Sequence, residues 1–165
     1  MLVWRLTRKA HAEQPFTGEG ARRFGGRWNH PGTPVLYTSA TLSLAVLEYL
    51  VNLSISDLPD DLVSIQVDVP DDVSRADISI DAVPVNWRTF PAIEELKDIG
   101  TEWASRGETA ILVVPSVVIP NEFNYLINPA HPETRRVKIL SVDPFALDVR
   151  LYGTRRRKES RKLKR

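Results

Sequence analysis

Cysteine is absent from this chain of 165 residues, which excludes a disulfide framework, a thiolate nucleophile and any zinc site built on sulfur. Histidine is scarce. His11, His30 and His131 have neither an HExxH pattern nor another regular metal-ligand spacing, so no metal site is expected. No apolar run approaches the roughly 20 residues needed to cross a bilayer. The opening MLVWRLTRKAH places a charge where a signal peptide would be apolar. The sequence therefore predicts a protein that is neither exported nor membrane-spanning, with a composition that fits the cytoplasm. Internal repeats and coiled-coil heptads are also missing, as are the Rossmann pattern GxGxxG after a strand and the P-loop pattern GxxxxGK followed by Ser or Thr.

What remains is an ordinary globular mixture, 42% hydrophobic and 26% charged, at a length that suits one domain with a sizeable core. The net charge of +1 conceals an uneven distribution. Residues 155–165 (RRRKESRKLKR) carry eight of the 22 basic groups and one of the 21 acidic groups, which leaves residues 1–154 with 14 basic and 20 acidic groups, net −6. We therefore divide the chain into a body, 1–154, and a basic tail, 155–165. The tail is a solvated, self-repelling end or a contact for nucleic acid or an acidic partner.

Residues 2–7 (LVWRLT) alternate as a strand. Five glycines and two prolines in the seventeen residues 18–34 predict an irregular loop. A short strand VLYTS follows, then a helix over about 41–52 capped by Thr38 or Ser39. LVSIQVDV reads as a strand. Beyond it come a loop or short helical turns and a helix with Pro91 near its first turn that ends at Gly107. TAILVVPS is a continuous apolar run and predicts a buried strand. Extended segments are expected around 123–127 and 137–142. The fold class is α+β (mixed α/β), with twisted sheets and flanking helices.

Several residues stand out chemically. Glu48 shares its helix face with Leu44, Ala45, Leu47 and Val51, so its carboxylate either reaches solvent from the helix edge or requires a donor partner, a raised pKa or a cavity. Arg27 lies in GGRWN, where glycines permit close backbone approach and a guanidinium can hold a phosphate; a plain surface arginine fits equally. Arg5 is an edge charge or a second anion ligand. Tyr37 fits a core position or a stacking position. Ser116 follows the most apolar strand without a nucleophile elbow and suits hydrogen bonding better than attack. Asn124, Asn128 and His131 fall around turns, for backbone capping or ligand contact.

The segments WR at 4–5, GGRWN, LYTS, LAVLEYL, VVPS and NYLINPAHP occur in an order that resembles the RES domain family, over residues 2–143. Such proteins are toxins of type II bacterial toxin–antitoxin pairs that degrade NAD, with a fold similar to ADP-ribosyltransferases. The resemblance implies two groups of strands flanking a cleft, with the helix of Glu48 at its wall. It implies that Arg27 holds the dinucleotide, that Tyr37 lies beside the nicotinamide end, that Glu48 orients the nicotinamide ribose and that Ser116 donates or accepts a hydrogen bond in the pocket. Arg5 would add to phosphate binding, and Asn128 is placed with the dinucleotide-binding residues. NAD would be the substrate, water or inorganic phosphate the acceptor, and no metal is required. A cognate antitoxin, a small helical DNA-binding protein, would be the partner, with a homodimer of the toxin in the complex. Two other readings stand beside this one: a protein-modifying ADP-ribosyltransferase, and a non-enzymatic nucleic-acid-binding or regulatory domain.

Overall fold

The computed structural model describes residues 1–13, 15–53 and 58–151. The basic tail expected at 155–165 lies outside the described residues. Ten principal elements run in the order β1 (Leu2–Arg8), α1 (Glu19–Phe24), β2 (Leu36–Ser39), α2 (Leu42–Leu50), β3 (Leu62–Asp68), β4 (Arg75–Asp77), α3 (Glu94–Arg106), β5 (Ile111–Pro115), β6 (Phe123–Ile127) and β7 (Lys138–Pro144). No helix among them is long and apolar enough to cross a membrane.

The strands form one seven-stranded sheet in the order β4-β5-β6-β2-β1-β3-β7. Its two halves are joined thinly. β1 and β3 share seven register pairs, from Leu2 with Asp68 to Arg8 with Leu62, whereas β1 meets β2 through the single pair Trp4–Ser39. The expected two groups of strands are therefore the halves β1-β3-β7 and β2-β6-β5-β4, hydrogen-bonded to each other at one point. Pairing is antiparallel except where β4 meets β5, and that pair lies at one edge, so the architecture is mixed α/β without a parallel central sheet.

Alternation decides what each strand buries. Val3, Val63, Ile65, Val67, Leu36, Ile111, Val113 and Ile127, drawn from both halves, pack into one core. Leu112, Val114 and Leu126 point the other way and pack with Leu96 of α3 and with Trp28 and Trp87. β5 is buried at every position, as its continuous apolar run predicts.

Three local expectations are corrected. The stretch 18–34 holds the helix α1, because Gly18 at φ 63° and Gly25 at φ 71° bound the helix with positive φ while Gly20 is accommodated inside it. Thr41 caps α2, its Oγ1 accepting from the Leu44 N–H at 3.1 Å, while Thr38 and Ser39 belong to the sheet. Pro91 precedes α3, which starts at Glu94 and ends at Gly107.

Candidate active site

Glu48 sits in the last turn of α2, which packs Ala45 and Val46 onto Leu6 and Leu62 and so fixes the height of the carboxylate over the sheet ends. Only part of its apolar flank is buried: Leu44 and Ala45 are inside, whereas Leu47 is 37% and Val51 59% exposed. The carboxylate thus stands at the boundary of core and solvent. Two donors meet it there. Ser116 Oγ donates to Oε1 at 2.7 Å, and Asn124 Nδ2 donates to the same oxygen at 2.6 Å. Among the described residues, Oε2 takes no hydrogen bond.

Ser116 is fully buried just beyond β5. Its Oγ also accepts from the N–H groups of Val118 at 3.1 Å and Ile119 at 3.0 Å. A hydroxyl whose proton is committed to a carboxylate and whose lone pairs accept two backbone bonds is a fixed donor, unsuited to nucleophilic attack.

Arg27 approaches from the loop between α1 and β2. The loop is seated on α3: a Cβ at Gly100 would lie 1.8 Å from the Trp28 carbonyl oxygen, so only glycine admits this contact. Tyr37 fastens it from the sheet side. Its hydroxyl donates to Asn29 Oδ1 at 2.7 Å and accepts from the Trp28 N–H at 3.1 Å, and its ring fills the place a Cβ of Gly26 would need. Burial pushes the Tyr37 hydroxyl above its ordinary pKa, which keeps it protonated as the donor to Asn29. Arg27 Nη1 in turn donates to the carbonyls of Trp87 at 2.8 Å and Thr89 at 3.1 Å. One nitrogen is therefore anchored, and the guanidinium is pre-oriented with further donors to offer. Partial burial lowers its pKa, opposed by the nearby charge of Glu48 and by Tyr37.

Arg5 leaves β1 where the two halves of the sheet meet. Its Nη1 donates to the Tyr37 carbonyl at 3.4 Å, while its buried Nε has no hydrogen-bond partner among the described residues. Burial alone lowers its pKa to about 10, so at neutral pH it remains a cation, and no ion pair to it is found among the described residues. A buried cation of this kind favours an anion at its side.

Hydrogen bonds thus join Glu48 to Ser116 and Asn124, Tyr37 to the loop that carries Arg27 and Arg5 to Tyr37, and Arg27 lies close enough to Glu48 for the carboxylate charge to act on it. Asn128 stands apart. It follows the opposite end of β6, where Nδ2 donates to the Ala104 carbonyl at 2.9 Å and Oδ1 accepts from the Ala130 N–H at 3.0 Å. Both ends of its amide are spent on tying β6 to α3 and to the next turn. Asn124 is the contact that sequence reading left open between capping and ligand binding. Gly100 was not singled out at all, although a glycine in mid-helix signals close approach. No group of three or more His, Cys, Asp or Glu that could hold a metal is found among the described residues.

A family model described as the RES domain matches residues 2–149. The chain belongs to the RES domain family. A Prs ADP-ribosylating toxin of Sphingobium sp. (strain YBL2) is 36% identical over 152 residues, covering 90% of this chain and 94% of the relative. A Toxin Res of Yersinia enterocolitica is 36% identical over 153 residues, covering 92% of this chain and 99% of the relative. In fold, the chain is similar to one in the crystal structure of the M. tuberculosis MbcT–MbcA toxin–antitoxin complex, with a TM-score of 0.69 at 17% identity over 93% of this chain and 87% of that one. The family match covers the span 2–143 expected from the motifs and extends it by six residues.

Proposed function

We propose that this RES domain is the toxin of a toxin–antitoxin pair and that it cleaves the bond between nicotinamide and ribose in NAD. The observation that carries the reading is the Glu48 carboxylate, held through Oε1 by Ser116 and Asn124, with no hydrogen bond to Oε2 among the described residues and with Arg27 near enough for the carboxylate charge to act on it. As the glycosidic bond breaks, its electron pair goes to the pyridinium nitrogen, so nicotinamide leaves neutral and positive charge develops on the ribose. A fixed carboxylate beside that ribose stabilises the transition state more than the ground state. Arg27 and Arg5 supply cations for the pyrophosphate and align the dinucleotide. Tyr37 serves chiefly by fixing the Arg27 loop, because its hydroxyl is committed there. Convergence of Arg27, Tyr37, Glu48 and Ser116 favours an enzyme over a binding module, for which no such grouping is required.

The acceptor distinguishes the forms of this chemistry. Water yields ADP-ribose and a proton; inorganic phosphate yields ADP-ribose carrying a phosphate at the former glycosidic carbon. A second reading, transfer of ADP-ribose to a protein, is favoured by the name of the Sphingobium relative, and it uses the same site with another acceptor. Nicotinamide release should be measured with and without inorganic phosphate, with mass analysis of the ADP-ribose product. Phosphate-dependent release with a phosphorylated product indicates phosphorolysis, and phosphate-independent release with free ADP-ribose indicates hydrolysis. Release only when an acceptor protein is present, with ADP-ribose found on it, indicates the transferase. No release under any of these conditions overturns the proposal. For the partner, co-purification with the product of the neighbouring gene, followed by competition with NAD, tests whether an antitoxin covers Glu48 and Arg27.

A further inference from the structure

Glu48 lies on a helix, whereas both of its donors lie at strand ends. Ser116 follows β5, and Asn124 is the second residue of β6. These strands are antiparallel neighbours, with Val114 paired to Asn124 and Pro115 to Phe123. The two donors therefore reach one carboxylate oxygen from adjacent points on a rigid sheet. Two hydrogen bonds from such a base constrain a carboxylate far more than one does, because a single bond leaves rotation about its own axis.

A further partner holds the asparagine. Ser39, 4% exposed at the end of β2, donates from Oγ to Asn124 Oδ1 at 2.7 Å. Ser39 and Asn124 are register partners across the β2–β6 ladder, so their separation is set by the backbone pairing. An ionised carboxylate only accepts hydrogen bonds. The Asn124 amide must therefore turn Nδ2 toward Glu48 and Oδ1 toward Ser39, because the flipped amide would set two acceptors against each other at the distance now occupied by a hydrogen bond. Ser116 is saturated independently by Val118 and Ile119, so the Ser39–Asn124 pair is a second, separate support for the carboxylate.

We propose that Asn124 is a positioning residue for Glu48, with Ser39 holding the Asn124 amide in the orientation that donates to the carboxylate. The inference rests on the reading that Glu48 serves nicotinamide–ribose cleavage. Its role is to keep Oε2 aimed at the ribose while Oε1 is clamped. Removal of the clamp leaves the dinucleotide-binding cations untouched and lets the carboxylate wander, so the loss falls on kcat.

The test is nicotinamide release from NAD by the full chain, comparing wild type with Asn124→Ala, Ser39→Ala, Ser39→Thr and the double variant Ser39→Ala/Asn124→Ala, alongside the ¹⁵N spectrum of the Asn124 side-chain amide. Asn124→Ala should lower kcat about 10-fold or more, the scale of a hydrogen bond to a charged group, with KM changed less than about twofold. Ser39→Ala should lower kcat about 2- to 10-fold, as loss of a neutral hydrogen bond does, and Ser39→Thr should retain most of the rate. In the double variant, loss of Ser39 should cost nothing beyond Asn124→Ala, since the two act through one bond. The Asn124 amide resonance should shift in Ser39→Ala and in Glu48→Gln. Wild-type kcat in Asn124→Ala, or an additive double variant, overturns the positioning role. If wild type releases no nicotinamide, the proposed function fails by itself, and the amide resonance still decides the clamp: an unchanged resonance in both variants overturns it.

Discussion

The two ends of β6 carry the same side chain and put it to different uses. At one end, Asn128 is 2% exposed and spends its amide on the Ala104 carbonyl and the Ala130 N–H, while Thr134 Oγ1 donates to its backbone carbonyl at 2.6 Å. Every bond there ends on backbone or on a hydroxyl, and the product is a joint. At the other end, Asn124 spends one side of its amide on Ser39 and the other on the carboxylate of Glu48, and the chain of contacts ends at Oε2, which takes no hydrogen bond among the described residues. An asparagine becomes part of a chemical site when the group it holds still has capacity to act. The same contrast separates Tyr37, whose hydroxyl is closed on Trp28 and Asn29, from Arg5, whose buried Nε has no partner among the described residues.

Substitutions at the two ends should separate binding, rate and stability. The effect on binding comes from the cation: Arg27→Ala weakens NAD affinity by about 10- to 100-fold, the range for losing charge-assisted hydrogen bonds, as titration calorimetry would measure. Unchanged affinity would remove Arg27 from the dinucleotide site. Ser116→Ala takes one donor from Glu48 and strands the N–H groups of Val118 and Ile119. It should cost about 1–3 kcal/mol of stability together with about a 10-fold loss of nicotinamide release, the scale for a bond to a charged group. A stable variant with full activity would contradict both halves.

Asn128→Ala should also cost about 1–3 kcal/mol, from the loss of the two hydrogen bonds its buried amide makes to the Ala104 carbonyl and the Ala130 N–H, at about 0.5–1.5 kcal/mol each, seen in urea unfolding. Its kcat, measured on folded protein, should match wild type. A selective fall in kcat would join the two ends of β6 into one site and dissolve the comparison. The smallest effect concerns α1. Hydrogen bonds from Arg22 and Arg23 hold the Glu19 carboxyl at about 2, below its ordinary value of 4.5. The folded state therefore binds this proton less readily than the unfolded state, so the contribution is present above about pH 4.5 and is lost as pH falls toward 2. These groups are solvent-exposed, and the melting-temperature difference between wild type and Glu19→Gln should be small at pH 7 and shrink through that window. A difference that grows on acidification would reverse the sign.

Several strands and the chemistry of Glu48 could be read from the chain alone, and the unreadable part has a common cause. Glu48 drew notice because a carboxylate among apolar neighbours requires donors, and two donors are present. Helical periodicity did not show that Leu47 and Val51 remain exposed, because periodicity marks a face without saying what covers it. β1, β2, β3 and β5 followed from alternation or from continuous apolarity. β4 did not, since three residues, Arg75–Asp77, carry no period, and α1 was hidden in a glycine-rich stretch in which Gly18 and Gly25 bound the helix and Gly20 lies within it. The pairing of Asn124 with Ser39 and with Glu48 spans 85 and 76 residues. Such contacts depend on strand order, which local pattern does not encode. The resemblance places Asn128 with the dinucleotide-binding residues, and in the folded chain its amide is bonded to the Ala104 carbonyl and the Ala130 N–H.

The most direct measurement compares nicotinamide release from NAD by wild type and Glu48→Gln, each checked for an unchanged melting temperature. Glutamine can still accept the Ser116 and Asn124 bonds through its carbonyl oxygen but carries no charge to set against the developing cation. The account predicts a folded variant whose kcat falls by at least about 10²-fold, the order expected when a major transition-state electrostatic group is lost. A folded Glu48→Gln protein that releases nicotinamide at the wild-type rate would contradict it.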